Sequence, residues 1–239
     1  GGLLVVIESW MLVSSRPEIR GRIMALYMVL FYGALATGQL LLKVFAPETL
    51  EPLALVAMLS SLSVIPLAFS RVDMPRLESP GKLHIFALIL KTPAGTISAF
   101  NAGMLLGVVY GLLPLFFAEI GYDLSQTANM MVVVILGGMA WQYPLGRLSD
   151  RYDRRIMLAF LFAGTALLSL IYLLMSAASN PWLSAGLLFL SAGLFFSIYP
   201  ISLSHACDEL PQNELMAANQ GLLLFYSVGA MTGPLVAPF

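Results

Sequence analysis

The stretch QTANMMVVVILGGMAWQYPLGRLSDRYDRR, Gln126–Arg155, sets the fold class. Its first twenty residues, Gln126–Leu145, carry no charge. Its last ten carry six: Arg147, Asp150, Arg151, Asp153, Arg154 and Arg155. About 20 apolar residues in a helix cross the hydrocarbon core of a bilayer. Lipid offers no partner to the backbone groups of an open strand, so such a segment must be a helix. A strand of an outer-membrane barrel would alternate apolar and polar residues. Runs such as Met130–Leu136 and Ala185–Leu190 do not alternate.

The rest of the chain repeats this pattern of apolar run and polar break. Of 239 residues, 59% are hydrophobic and 10% charged, with a mean hydropathy of +0.87. A soluble domain carries roughly 25% charged residues, so the composition argues against a water-soluble enzyme. The formal net charge of −1 predicts no affinity for nucleic acid. The single cysteine, Cys207, excludes an internal disulfide and a cysteine-built metal site. A half-span is expected at Gly1–Val13, full spans near 22–42, 53–69, 93–118, 126–145, 156–177 and 182–204, and a last one from about 215. The chain begins inside an apolar run, with no initiator Met and no basic leader, and stops inside another at Pro238-Phe239. It therefore reads as an internal piece of a longer protein, truncated at both ends.

The cations fix the orientation. Arg16, Arg20 and Arg22 fall in the first loop, Arg71, Arg76, Lys82 and Lys91 in or beside the third, and Arg147, Arg151, Arg154 and Arg155 in the fifth. The opposite loops hold only Lys43. Eleven of the twelve Lys and Arg thus share one face, which the positive-inside rule makes cytoplasmic. Ser15-Arg16-Pro17-Glu18 fits a capping box, and Asp123 and Ser125 can each cap the helix that follows them.

The longest loop, Ser70–Thr92, contains Pro75 and Pro80 and marks a boundary between two helical bundles. Its second part, Lys82–Lys91, is apolar with cationic ends. It either lies in the interface as a short helix or begins the next span. A weak repeat supports the boundary. Leu30-Phe31-Tyr32 and Thr37-Gly38 recur as Leu224-Phe225-Tyr226 and Thr232-Gly233, about 194–195 residues on. Five spans lie between the paired ones, so the repeat unit is six helices, which is a transporter architecture.

Basic residues after a span are ordinary topology signals, which accounts for the arginines of the fifth loop. It does not account for Asp150 between them or Gly146 at the helix end. The string Gly146-Arg147-Leu148-Ser149-Asp150-Arg151-Tyr152-Asp153-Arg154-Arg155 resembles the signature loop of the major facilitator superfamily, G-x-L-A/S-D-R/K-x-G-R-R/K. The departure is Asp153, where that pattern has Gly. Arg20-Gly21-Arg22, Tyr110-Gly-Leu-Leu-Pro-Leu and Gly229-x-x-x-Gly233-Pro234 also fit. Val6-Ile7-Glu8-Ser9, Tyr199-Pro200, Asn219-Gln220 and Phe225-Tyr226-Ser227 look most like the bacterial YcaD-like branch. The resemblance implies an all-α, polytopic fold of two pseudo-symmetric six-helix bundles. Residues 1–69 would close the N-terminal bundle, 70–92 form a cytoplasmic linker, and 93–239 supply five helices of the C-terminal bundle. It implies multi-pass insertion in the bacterial inner membrane and secondary transport of a small solute by alternating access, coupled to protons. It further implies a monomer without a cofactor, partnered by lipid and substrate. Gly146, Arg147, Asp150, Arg151, Arg154 and Arg155 would form the gating motif. Asp150 would face the start of the helix at Arg20–Arg22, where a carboxylate and a helix N-terminus attract by about 0.3–1 kcal/mol.

Polar groups at membrane depth are the substrate-path candidates. Glu8 is the sole acid within a span, roughly 9 Å in from its helix end by helical rise. It serves cation recognition or proton coupling, or else reaches the interface to pair with Arg16. Tyr32 and Gln39 share a helix face, as do Asn219, Tyr226 and Gly233. These stripes line a cavity or act as hydrogen-bonding glue between helices, and Gly229-x-x-x-Gly233 reads as packing. Asn101 and Tyr110 fall on opposite faces of a straight helix that Gly107, Gly111 and Pro114 can bend. Trp141, Gln142, Tyr199, Ser202 and Gln220 complete the set. His205, Asp208 and Glu209 cluster after the sixth full span. They lack the spacing of a metal site and read as gating or solvated groups.

Other classes lack their signatures. There is no G-x-x-x-x-G-K-S/T loop for ATP, no TVGYG filter and no hydrolase arrangement. The rival to a transporter is a transporter-like sensor or receptor that binds a ligand without moving it. Saturable binding without flux would mark it.

Overall fold

A computed structural model describes residues 17–41, 44–45, 49–69, 85–175, 180–211 and 214–237. Every element among them is helical: α1 (Pro17–Leu41), α2 (Glu51–Phe69), α3 (Ile85–Lys91), α4 (Pro93–Glu119), α5 (Leu124–Ser149), α6 (Arg154–Leu174), α7 (Pro181–Glu209) and α8 (Leu215–Val236). By length and composition, α4, α5, α6 and α7 can each cross a membrane, and Val29–Leu41 and Glu51–Pro66 are shorter apolar helical stretches. The expected half-span Gly1–Val13, the cap at Ser15 and most of the Ser70–Thr92 loop lie outside the described residues.

Local chemistry sets the helix starts. Asp123 Oδ1 accepts from Gln126 N at 2.7 Å while Gln126 Oε1 accepts from Asp123 N at 2.9 Å, a reciprocal capping box that opens α5. Asp123 therefore caps, and Ser125 lies inside the helix rather than capping it. Gly121, at φ +90°, makes the turn from α4, a conformation that costs glycine nothing. Asn180 caps α7 through Trp182 N and Leu183 N, with Pro181 in the first turn, where its missing N–H is no loss.

Two boundaries differ from the sequence expectation. Helix α1 starts at Pro17, so Arg20 and Arg22 lie within it rather than in a loop. Helix α7 runs on past residue 204 to Glu209, so His205, Asp208 and Glu209 sit on its last turns rather than in a loop. Of the two readings of Lys82–Lys91, the separate short helix is the one observed, α3. Pro93 and the non-helical backbone of Thr92 (φ −137°, ψ 69°) divide it from α4. Leu88 of α3 is fully buried in a cluster with Ala99, Ala206, Leu210, Ala218 and Leu222, so α3 packs on α4, α7 and α8.

The chain forms two compact units. One holds α1, α2 and residues 123–132. The other holds α3, α4, α5 from Val133, and α6–α8. In the second unit α4 packs on α8 and α7, and α6 on α7. The α4–α8 contact depends on absent side chains. A Cβ on Gly103 or Gly107 would clash with the backbone of Tyr226 or Ala230, and one on Gly229 or Gly233 with the backbone of Phe100 or Met104. Small residues let membrane helices approach this closely without a hydrophobic drive.

Candidate functional site

The charged loop after α5 and the end of α7 form one network. Asp153 is the N-cap of α6, its Oδ1 accepting from Arg155 N at 2.8 Å. The carboxylate that departs from the family pattern therefore acts locally, satisfying one of the free N–H groups at the start of the helix. Arg154 then forks. Its Nη2 lies 3.4 Å from Asp150 Oδ1, and its Nε lies 3.2 Å from Asp208 Oδ2 on α7. The next residue, Arg155, pairs with Glu209, and His205 Nε2 is 3.6 Å from the same Glu209 oxygen. Lys91 pairs with Glu214 at 2.7 Å, joining the end of α3 to the residue before α8. Arg147 and Arg151 are exposed and line a hollow of about 260 Å³ with Pro144 and Leu148. A Cβ on Gly146 would meet nothing within 4 Å among the described residues. Asp150 is expected to face the helix start at Arg20–Arg22, and the side chains of Arg20 and Arg22 lie outside the described residues.

At membrane depth the candidates separate by element. Tyr32 of α1 is buried, its ring edge-on to Phe31, and Gln39 is half-buried. In the other unit, Tyr110 of α4 and Gln142 of α5 converge on one residue of α7, Phe196. The Tyr110 ring is edge-on to the Phe196 ring at 6.4 Å, and Gln142 Nε2 donates to the Phe196 carbonyl at 3.4 Å. One turn along, Tyr199 meets Tyr226 of α8 with ring centroids 4.5 Å apart. The structure thus sets Tyr110 and Gln142 against Phe196, and Tyr226 against Tyr199, one turn apart on α7. Gly138 makes room for the Phe196 ring, since a Cβ there would sit 2.6 Å from it. Asn101 is not part of this group: its Nδ2 donates to Ile97 O at 2.9 Å, within its own helix. Asn219 is buried, and its Oδ1, like the Tyr110 hydroxyl, has no hydrogen-bond partner among the described residues. Glu8 lies outside the described residues.

The repeat-related helices share one detail. Thr37 Oγ1 donates to Gly33 O at 2.8 Å, and Thr232 Oγ1 donates to Val228 O at 3.0 Å. Both hydroxyls are satisfied four residues back, the usual solution where lipid offers no partner.

A cavity of about 720 Å³ also opens in the second unit. Leu105, Val109 and Phe116 of α4 line it, together with Thr165, Ser169 and Tyr172 of α6 and Ser191 and Phe195 of α7. None of the sequence candidates lies on it. The signal was there to be read: Thr165, Ser169 and Tyr172 are spaced four and three, one polar stripe on an apolar helix. Tyr172 shares a 2.8 Å hydrogen bond with Ser184 Oγ, which anchors that stripe to α7.

Comparison with known proteins agrees with the geometry. A family profile described as Major Facilitator Superfamily matches residues 1–238. The chain is 32% identical, over 232 residues, to the uncharacterized MFS-type transporter YcaD of Escherichia coli O139:H28. The same identity and length hold for the YcaD of Shigella flexneri and that of Escherichia fergusonii. Each alignment covers 96% of this chain but 59% of the relative, so the chain spans about three-fifths of the length of the curated relatives it matches. No solved structure matches the chain.

Proposed function

The chain belongs to the Major Facilitator Superfamily, and on that premise we propose that it is the greater part of a secondary transporter that moves a small solute by alternating access, coupled to protons. In this reading residues 1–69 close the N-terminal bundle, 70–92 link the bundles on the cytoplasmic side, and 93–239 form most of the C-terminal bundle. The protein is a multi-pass monomer of the bacterial inner membrane, and it is a carrier rather than an enzyme. Tyr110, Gln142, Tyr199 and Tyr226, with Asn101, Asn219, Tyr32 and Gln39, line the substrate path. Glu8 carries the coupling proton. The segment Gly146–Arg155 is the gate.

One observation carries the reading. Uncharged polar and aromatic side chains from α4, α5 and α8 converge on α7 at Phe196 and Tyr199, at a depth where polar groups are expensive. The Tyr110 hydroxyl is buried there without a hydrogen bond among the described residues. A buried group of that kind is satisfied by water or by a ligand. The path is uncharged among the described residues, which suits a neutral or weakly charged solute.

The test is flux. The full-length protein in liposomes is offered a solute panel with and without an imposed proton gradient. A solute that accumulates only with the gradient supports both transport and coupling. Entry that ignores the gradient removes the coupling and the role of Glu8. Saturable binding with no entry leaves the sensor reading in place of transport.

A further inference from the structure

We propose that His205, Glu209 and Arg155 form a proton-binding site at the end of α7, in which His205 takes up the proton and Glu209 holds the resulting imidazolium against the Arg155 guanidinium. The side chain of His205 is 8% exposed, and its Nε2 lies without a hydrogen-bond partner among the described residues, 3.6 Å from Glu209 Oε1. Glu209 sits one helical turn further along α7, so the two side chains share a face. The same Glu209 oxygen accepts from Arg155 Nη2 of α6, and the second Glu209 oxygen is buried without a partner among the described residues. Two polar atoms without a partner among the described residues, His205 Nε2 and Glu209 Oε2, are thus gathered in one place, where a partnerless group costs about 1–3 kcal/mol. A proton on the imidazole answers that cost. Whichever tautomer the neutral ring adopts, the imidazolium has an N–H at Nε2. A closing movement of less than 1 Å turns the 3.6 Å separation into a charge-assisted hydrogen bond of about 2.7–2.9 Å.

The surrounding charges leave Glu209 as the counter-ion. On α6, Arg154 is engaged with Asp150 and Asp208. On the side of α3 and α8, Lys91 is engaged with Glu214. The buried Thr92, just before α4, brings no charge to the site. On α7 itself, Asp208 turns to Arg154, and Cys207 is half-buried. Uptake of the proton makes the imidazolium compete with Arg155 for the Glu209 carboxylate, and so loosens the tie between the end of α7 and the start of α6. The site needs no solute and stands whether or not the transport reading does.

Nitrogen-15 resonances of histidine in the full-length protein, reconstituted in lipid, test it. The His205 signal is the one that the His205→Gln variant lacks. That signal is expected to move with pH as the imidazole gains its proton. Glu209→Gln should lower its midpoint by about 1 pH unit or more, the loss expected for an opposite charge within ~4–6 Å. Arg155→Gln should raise it, because Glu209 is then held by His205 alone. Glu209→Asp, which keeps the charge in a shorter side chain, should fall between wild type and Glu209→Gln. A His205 signal that never titrates, or a midpoint that none of these three variants moves, overturns the proposal.

Discussion

Arg154 Nε lies 3.2 Å from Asp208 Oδ2, and the next residue along each helix repeats the pairing, Arg155 with Glu209. Two adjacent arginines at the start of α6 thus meet two adjacent acids at the end of α7. Arg154 also reaches Asp150 at 3.4 Å, so one guanidinium joins the loop after α5 to both helices. The side chains of Asp150 and Asp208 are 71% and 58% exposed, and exposed pairs contribute little, about 0.2–1 kcal/mol. The pairs therefore set the relative placement of the helix ends more than they hold the fold. A double-mutant cycle of Arg154→Gln with Asp208→Asn should give a coupling of about 0.2–1 kcal/mol in reversible unfolding from mixed micelles. A coupling several times larger would mean that the pair is desolvated and structural.

Asp153 replaces the Gly of the superfamily loop and caps α6. Asp153→Ala should cost about 0.5–2 kcal/mol, whereas Asp153→Gly, the family residue, should cost only a few tenths. Thermal unfolding of the two variants side by side makes the comparison. Equal losses would show that the carboxylate matters for its charge among the arginines rather than for the cap.

The α4–α8 contact makes a sharper claim. Gly103→Ala places a methyl against the Tyr226 backbone and should destabilise by about 1–3 kcal/mol, the usual range for overpacking. Gly186 of α7 has nothing among the described residues within 4 Å of an added Cβ, so Gly186→Ala should be neutral or stabilising by up to about 1 kcal/mol through helix propensity. A harmless Gly103→Ala would show that the two helices do not approach this closely.

Much of this was legible in the sequence, for a physical reason. Lipid forces helices, charge ends them, and Asp150 among Arg147, Arg151 and Arg154 marks one particular loop. The span limits near 53–69 and 93–118 lie within about two residues of α2 and α4. What was not legible is which distant residues meet. Nothing in a single chain says that Arg155 faces Glu209, 54 positions on, or that Tyr110 and Gln142 share Phe196. Hydropathy ended the helix at residue 204 because His205, Asp208 and Glu209 are polar, yet the backbone stays helical where the arginines of α6 supply partners. The small-residue face of α8 was read from Gly229 and Gly233. Its complement at Gly103, Gly107 and Gly111, spaced by four, was open to the same reading.

Tyr110 separates a structural from a functional role. Its hydroxyl is buried without a hydrogen bond among the described residues, so Tyr110→Phe removes an unsatisfied group and should leave stability unchanged or raised. If the hydroxyl meets the solute, the apparent affinity for transport should fall by about 2- to 12-fold, the equivalent of one hydrogen bond of about 0.5–1.5 kcal/mol. Lower stability with unaltered affinity would return Tyr110 to the packing of α4 on α7.

Counterflow tests alternating access most directly. Liposomes holding the full-length protein are loaded with an unlabelled solute identified from the panel and diluted into a trace of the labelled solute, with no ion gradient. A carrier whose one site faces each side in turn should draw label inward above its equilibrium level, a transient overshoot that Gly103→Leu, by jamming α4 against α8, should abolish. Simple equilibration without an overshoot, or label bound but never internalised, would contradict the account.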